Sequence, residues 1–173
     1  MFIGYKFFLD SSLRYYQNDF FPDFWIWLKI QSNTSHIKTI RKVKQELLSK
    51  KDFISNFINE LPLSFFIDDK KYLSSYSQVI QTAQLMNFRQ NAKEKFADAN
   101  KADAWLIAVA LQDNYTIVSN EKIPDKQERQ NIKIPRMCNE LNIECINIFD
   151  FIKEQKIIFY IKDLPQEPKQ TLF

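Results

Sequence analysis

Four acidic residues, Asp10, Glu46, Asp103 and Glu121, stand out for where they fall against the apolar runs of the chain. Asp10 closes the run Tyr5 to Leu9, and Glu121 follows Val118 by three residues. In an open parallel α/β sheet, ligands bind beyond the carboxyl ends of the strands, where both acids are expected. Glu46 follows Val43 by three residues and lies at the flank of an apolar helical seam. Asp103 falls in the first turn of an apolar helix, where the helix dipole favours an anion. Singly, each has an ordinary structural use: a turn cap, a loop charge, a surface pair with Lys42 or Lys50, or a helix N-terminal charge. Jointly they imply chemistry. Two carboxylates about 4 Å apart repel by roughly 4 kcal/mol at an effective dielectric near 20, so converging acids need a cation or protons. Oxygen ligands without His or Cys select Mg²⁺ or Mn²⁺. Such a centre suits phosphodiester hydrolysis, since the metal lowers the pKa of an attacking water and stabilises the leaving oxygen.

Other chemistries are excluded by scarcity. The single glycine, Gly4, leaves no room for a P-loop or a G-x-G-x-x-G turn, and the single histidine, His36, removes H-E-x-x-H zinc sites. Cys138 and Cys145 are seven residues apart without Cys or His companions, which is not a zinc spacing and reads as buried thiols in a reducing compartment. No run of about 18 apolar residues is present, so no membrane span is expected, and the start reads as a first strand rather than a signal peptide. A cytoplasmic protein is the expectation. The net charge of +3, from 24 basic and 21 acidic residues, is too small to identify a polyanionic partner. The segment Lys38 to Lys51 is locally basic, with Lys38, Arg41, Lys42, Lys44, Lys50 and Lys51 against Glu46 alone. It reads as a solvated helix face or as a surface for phosphates.

The elements that must position the acids follow from periodicity. With 173 residues, 45% of them hydrophobic, the chain is long enough for one domain with a real core. Tyr5 to Leu9 reads as a buried parallel strand ending at Asp10. Phe20 to Ile30 reads as a helix, with Phe20, Phe24, Trp27 and Leu28 on one face and Pro22 in the first turn. His36 to Ile40 fits either a strand or the start of the helix carrying the seam Ile40, Val43 and Leu47. Asp52 to Leu61, Tyr72 to Met86 and Arg89 to Phe96 read as helices. Ala102 to Leu111 is apolar on nearly every side after Asp103, so it is expected to be central and buried. Tyr115 to Val118, Pro135 to Leu141, Cys145 to Ile148 and Phe149 to Gln155 then alternate strand and helix, which implies an α/β sandwich with a parallel sheet. The domain is expected to span 1–161, with the remainder, 162–173, as a flexible tail holding Pro165 and Pro168.

The series F-F-L-D-S-S (Phe7 to Ser12), V-K-Q-E-L (Val43 to Leu47), A-D-A-W-L-I-A (Ala102 to Ala108) and T-I-V-S-N-E (Thr116 to Glu121) resembles the PIN-domain nucleases in order and spacing. The blocks R-Y-Y…F-F-P-D-F-W-I-W-L (Arg14 to Leu28) and I-P-R-M-C-N-E-L-N-I (Ile134 to Ile143) resemble a bacterial PIN-like subgroup of unassigned function. The resemblance implies a three-layer α/β/α sandwich with a central parallel sheet, and metal-dependent cleavage of single-stranded RNA with Mg²⁺ or Mn²⁺. It also implies, for many relatives, a toxin neutralised by a small protein antitoxin. By that resemblance Asp10, Glu46 and Asp103 are the first three acids, Glu121 is the last acid, and Ser119 is the small hydroxyl residue beside it. Two departures stand out. PIN nucleases mostly place Asp where this chain has Glu121, and several residues usually separate the first acid from R-Y-Y. Here only Ser11, Ser12 and Leu13 do, which shortens the first helix.

The leading expectation is therefore a Mg²⁺ or Mn²⁺ endoribonuclease, with Asp10, Glu46, Asp103 and Glu121 on the metal and Ser119 orienting a ligand or water. Arg41, Lys42 and Lys44 would contact the RNA backbone, and Tyr15 and Tyr16, nearest Asp10, would stack bases. The aromatic block that holds them is otherwise core. A homodimer is left open. The alternative is a degenerate PIN-fold binding module that has lost hydrolysis. A phosphatase of the haloacid dehalogenase type also uses an Asp at a strand end, but it wants a second Asp two residues on, where this chain has Ser12.

Overall fold

The run Tyr5 to Leu9 is helical, not a strand. In the computed structural model, which describes residues 1–34, 36–49, 51–122 and 129–159, the first strand β1 is only Phe2–Ile3, and helix α1 begins at once as Tyr5–Asp10. A short apolar run fits either state, and here Phe7 and Phe8, adjacent in sequence, are both fully buried. Gly4 forms the joint, with extended backbone (φ −95°, ψ 179°) and a close neighbour: a Cβ there would meet Leu106 Cδ2 at 2.9 Å. Glycine is favoured by that approach and not by its dihedrals. The chain continues past α1 through a π-helical turn, Ser11–Tyr15, so the first helical segment is not shortened.

Among the described residues, five two-residue strands pair in parallel. β1 pairs with β4 (Ile117–Val118), which pairs with β5 (Cys145–Ile146). β2 (Thr39–Ile40) pairs with β3 (Phe66–Ile67), a strand that the sequence reading missed inside a loop. A parallel bridge from Phe2 to Lys38 joins the two groups, and the Thr39 hydroxyl donates to the Ile3 carbonyl at 2.6 Å. The spatial order is therefore β3-β2-β1-β4-β5, which reverses direction between β1 and β4.

The remaining helices are α2 (Pro22–Gln31), α3 (Arg41–Leu48), α4 (Phe53–Asn59), α5 (Leu73–Leu85), α6 (Gln90–Phe96), α7 (Ala102–Asp113), α8 (Ile134–Leu141) and α9 (Ile148–Glu154). α7 is central as expected: Ala102 and every residue from Ala104 to Ala110 are buried, and Asn114 in the left-handed region ends it. α2 turns Phe24, Trp25 and Leu28 inward, and the Trp25 indole donates to the Tyr16 carbonyl at 2.7 Å. Phe20 departs from the expected core face. It precedes the helix and is 75% exposed. The last third alternates as read, except that β5 ends at Ile146 and Ile148 already belongs to α9. The expected tail, 162–173, lies outside the described residues, as do Lys50 and the boundary at 161. Among the described residues no helix is long and apolar enough to cross a membrane.

Candidate functional site

The residues that follow β1 and β4 meet in one cleft of about 490 Å³, at the point where the strand order reverses. That is where open α/β sheets bind ligands. α1 contributes Tyr5 and Lys6, α3 contributes Glu46, and the start of α7 contributes Asp103. The loop after β4 contributes Glu121, and the approach to α8 contributes Lys133. Three of the four expected acids thus share one cleft.

Each cleft acid is held by a different device. Glu46 reaches across from α3, and its Oε1 accepts the Ala102 N–H at 2.9 Å, so it caps the first turn of α7 from outside that helix. Glu121 does the same for α8: its Oε2 accepts the Ile134 N–H at 2.8 Å. Its other oxygen, Oε1, carries the Lys6 ammonium at 2.7 Å and the Lys133 ammonium at 3.7 Å. The Glu121 side chain is 5% exposed, whereas Lys6 is 48% exposed, so an acid from the interior meets an ammonium at the rim. Burial pushes the Asp103 carboxyl up to about 6, helped by the charges of Glu121 and Glu46 and opposed by Lys6 and Lys133. Burial also raises Glu46, against the Ala102 N–H, Lys101 and Lys42.

The other expected residues lie elsewhere. Asp10 ends α1, one helical segment away from the strand end, and its carboxylate faces Arg14 at 3.6 Å outside the cleft lining. It fails to converge because the strand it was read to terminate is a helix. Ser119 is buried, and its Oγ accepts the Glu121 N–H at 3.3 Å, which shapes the loop and does not face the cleft. Tyr16 is buried and stacked on Phe24 at 4.4 Å, and Tyr15 meets Phe149 edge-on at 5.2 Å. Arg41 pairs with Asp68 at 3.0 Å, Lys42 lies over the Trp105 ring, and Lys44 lies over the Phe66 ring. None of these five lines the cleft. Among the described residues, its basic members are Lys6, Lys95, Lys101 and Lys133. Sequence reasoning missed all four. Lys6 had a signal: it is the one charge inside the apolar stretch Phe2 to Leu9, and such a charge needs a partner.

A family model described as "Domain of unknown function (DUF4411)" matches residues 5–159. The chain belongs to this family. No curated protein and no solved structure matches it. The DUF4411 match covers all of the cleft residues named above, from Tyr5 to Lys133.

The divalent cation implied by the PIN resemblance does not fit this donor set. Among the described residues, no three Asp, Glu, His or Cys side chains are grouped to hold a metal ion. Both Glu121 oxygens and one Glu46 oxygen already accept hydrogen bonds or ion pairs from the protein. The group seated on Glu121 is an ammonium, which repels a second cation and donates no lone pair to one.

Proposed function

We propose that this DUF4411 domain is a three-layer α/β/α module of the PIN type that binds single-stranded RNA without cleaving it. One observation carries the loss of hydrolysis. β1 ends at Ile3, so the position directly after the strand, where the PIN resemblance expects the first acid, belongs to Gly4. This register also lengthens the short segment noted above. Tyr5 to Leu13 now separate the strand-end position from Arg14-Tyr15-Tyr16, in place of the three residues that follow Asp10.

The chemistry left in the cleft favours binding. Lys6, Lys95, Lys101 and Lys133 surround an opening that Tyr5 also lines. Ammonium groups pair with the phosphates of a single strand and an aromatic ring stacks on a base, which is how sequence-tolerant strand binders work. The acids below the rim, with Glu121 deepest, exclude phosphate from the floor and keep the strand at the mouth.

The test is a fluorescent single-stranded RNA of mixed sequence, followed by anisotropy and on a denaturing gel, with MnCl₂ and with EDTA. We expect the same affinity in both buffers, intact RNA throughout, and at least tenfold weaker binding for the double variant Lys95→Glu, Lys101→Glu. Cleavage confined to the MnCl₂ samples would reinstate the metal nuclease and with it the toxin and antitoxin roles. Affinity unchanged in the double variant would remove RNA from this cleft.

A further inference from the structure

The two cysteines, apart in sequence, meet in the fold. Cys138 lies in α8 and is fully buried, whereas Cys145 opens β5, at the edge of its three-stranded sheet, and is only half-buried. Asn142, in the left-handed region, ends α8, and the Ile143 N–H returns to the Cys138 carbonyl at 2.9 Å. The chain therefore folds back at once, and α8 packs against the strand that follows it. Across that contact the Cys138 thiol donates a hydrogen bond to the Cys145 sulfur. The bond raises the Cys138 thiol, as burial does too, and it lowers Cys145. Neither cysteine lines the cleft.

We propose that Cys138 and Cys145 form a redox modification site, which a small disulfide of the glutathione type oxidises to an intramolecular disulfide between α8 and β5. Exposure divides the two roles. Cys145 is open to solvent, so its thiolate attacks one sulfur of the small disulfide. A mixed disulfide forms at Cys145, and the expelled glutathione thiolate takes up the proton that Cys145 gave up. The Cys145 sulfur then no longer holds the Cys138 proton. Cys138 loses that proton, attacks the Cys145 Sγ and expels the second glutathione, which carries the proton away. Two protein thiols have lost two electrons and two protons, and one small disulfide has become two thiols. Such a pair in a reducing compartment is a transient sensor rather than a staple. The new bond fastens α8 to the strand beside the Glu121 loop, where the Ser119 N–H meets the Ile146 carbonyl at 2.9 Å.

The experiment equilibrates the chain with mixtures of oxidised and reduced glutathione, quenches with acid and reads the intact mass. The native wild type is compared with the same chain unfolded in urea, and with Cys138→Ala and Cys145→Ala. The native chain is expected to lose two hydrogens, to stay monomeric and to regain both thiols with dithiothreitol. It should keep its disulfide against about tenfold more reduced glutathione than the unfolded chain does, because the fold already brings the sulfurs together. Cys138→Ala is expected to stop with one glutathione on Cys145, and Cys145→Ala to stay unmodified. A native wild type that keeps both thiols where the unfolded chain is oxidised overturns the proposal, and this comparison needs no variant. So does a native wild type that stops at the glutathione adduct. Equal modification of Cys145→Ala overturns the assignment of Cys145 as the attacking thiol. No readout here involves RNA, so failure is distinct from failure of the binding reading.

Discussion

Asp103 shows how burial and crowding act on one carboxyl. Its folded pKa of about 6 lies above the ordinary value of 3.8, so the folded state takes up a proton that the unfolded chain does not hold between those limits. The stabilising contribution of the proton is complete below about pH 3.8 and is lost as pH rises through 6. At neutral pH, the ionised form costs the fold about 3 kcal/mol, taking 1.36 kcal/mol per pKa unit. Asp103→Asn is therefore expected to be more stable than the wild type at about pH 8 and to match it near pH 4. Urea unfolding at the two pH values checks this, and a variant less stable at the higher pH would show that the carboxylate is compensated. That Asp103 would lie near Glu46 and Glu121 was expected from where the acids fall against the apolar runs taken together with the resemblance, and the three do line one cleft. Apart from Lys6, the lysines were not legible, since rim residues on helix ends carry no periodic signal.

At the scale of elements, the misread segment has a definite physical cause. Tyr5 to Leu9 contains too few residues to distinguish an alternating period from a helical one, and both of its phenylalanines are buried. The joint at Gly4 decided the matter, because a two-residue strand can feed a helix directly where α7 passes within reach of the backbone. Gly4→Ala is expected to cost about 1–3 kcal/mol, since the added methyl must displace Leu106 inside a packed core. Combined with Leu106→Val, the loss should be smaller than the sum of the two single losses, and a double-mutant cycle in urea reads the coupling. Simple additivity would mean that Leu106 is not the obstacle. α7, by contrast, was fully legible: eight apolar residues around a helix can only be central. Its start depends on another element. Glu46→Ala removes the acceptor of the Ala102 N–H and is expected to cost about 1 kcal/mol, with Glu46→Gln largely sparing stability.

For the whole molecule, the parallel order β3-β2-β1-β4-β5 concentrates the cleft at one reversal point, and the aromatic block of α2 lies outside its lining. The alternating last third and the buried α7 were enough to read an α/β fold, but the two-residue strands are too short to mark their own ends. That single uncertainty moved the first acid. If the four rim lysines each neutralise one phosphate, RNA affinity should fall with salt at a log–log slope of about −3, and a slope near zero would mean that phosphates are not what the cleft holds. The external capping of α7 and α8 by Glu46 and Glu121 carries a consequence for how such sequences are judged. In a saturation mutagenesis experiment scored only by cellular abundance, with no RNA in the assay, both positions should reject alanine. A side-chain acceptor at these places thus serves the folded chain, and an acid found there does not by itself report that a bond is ever cut.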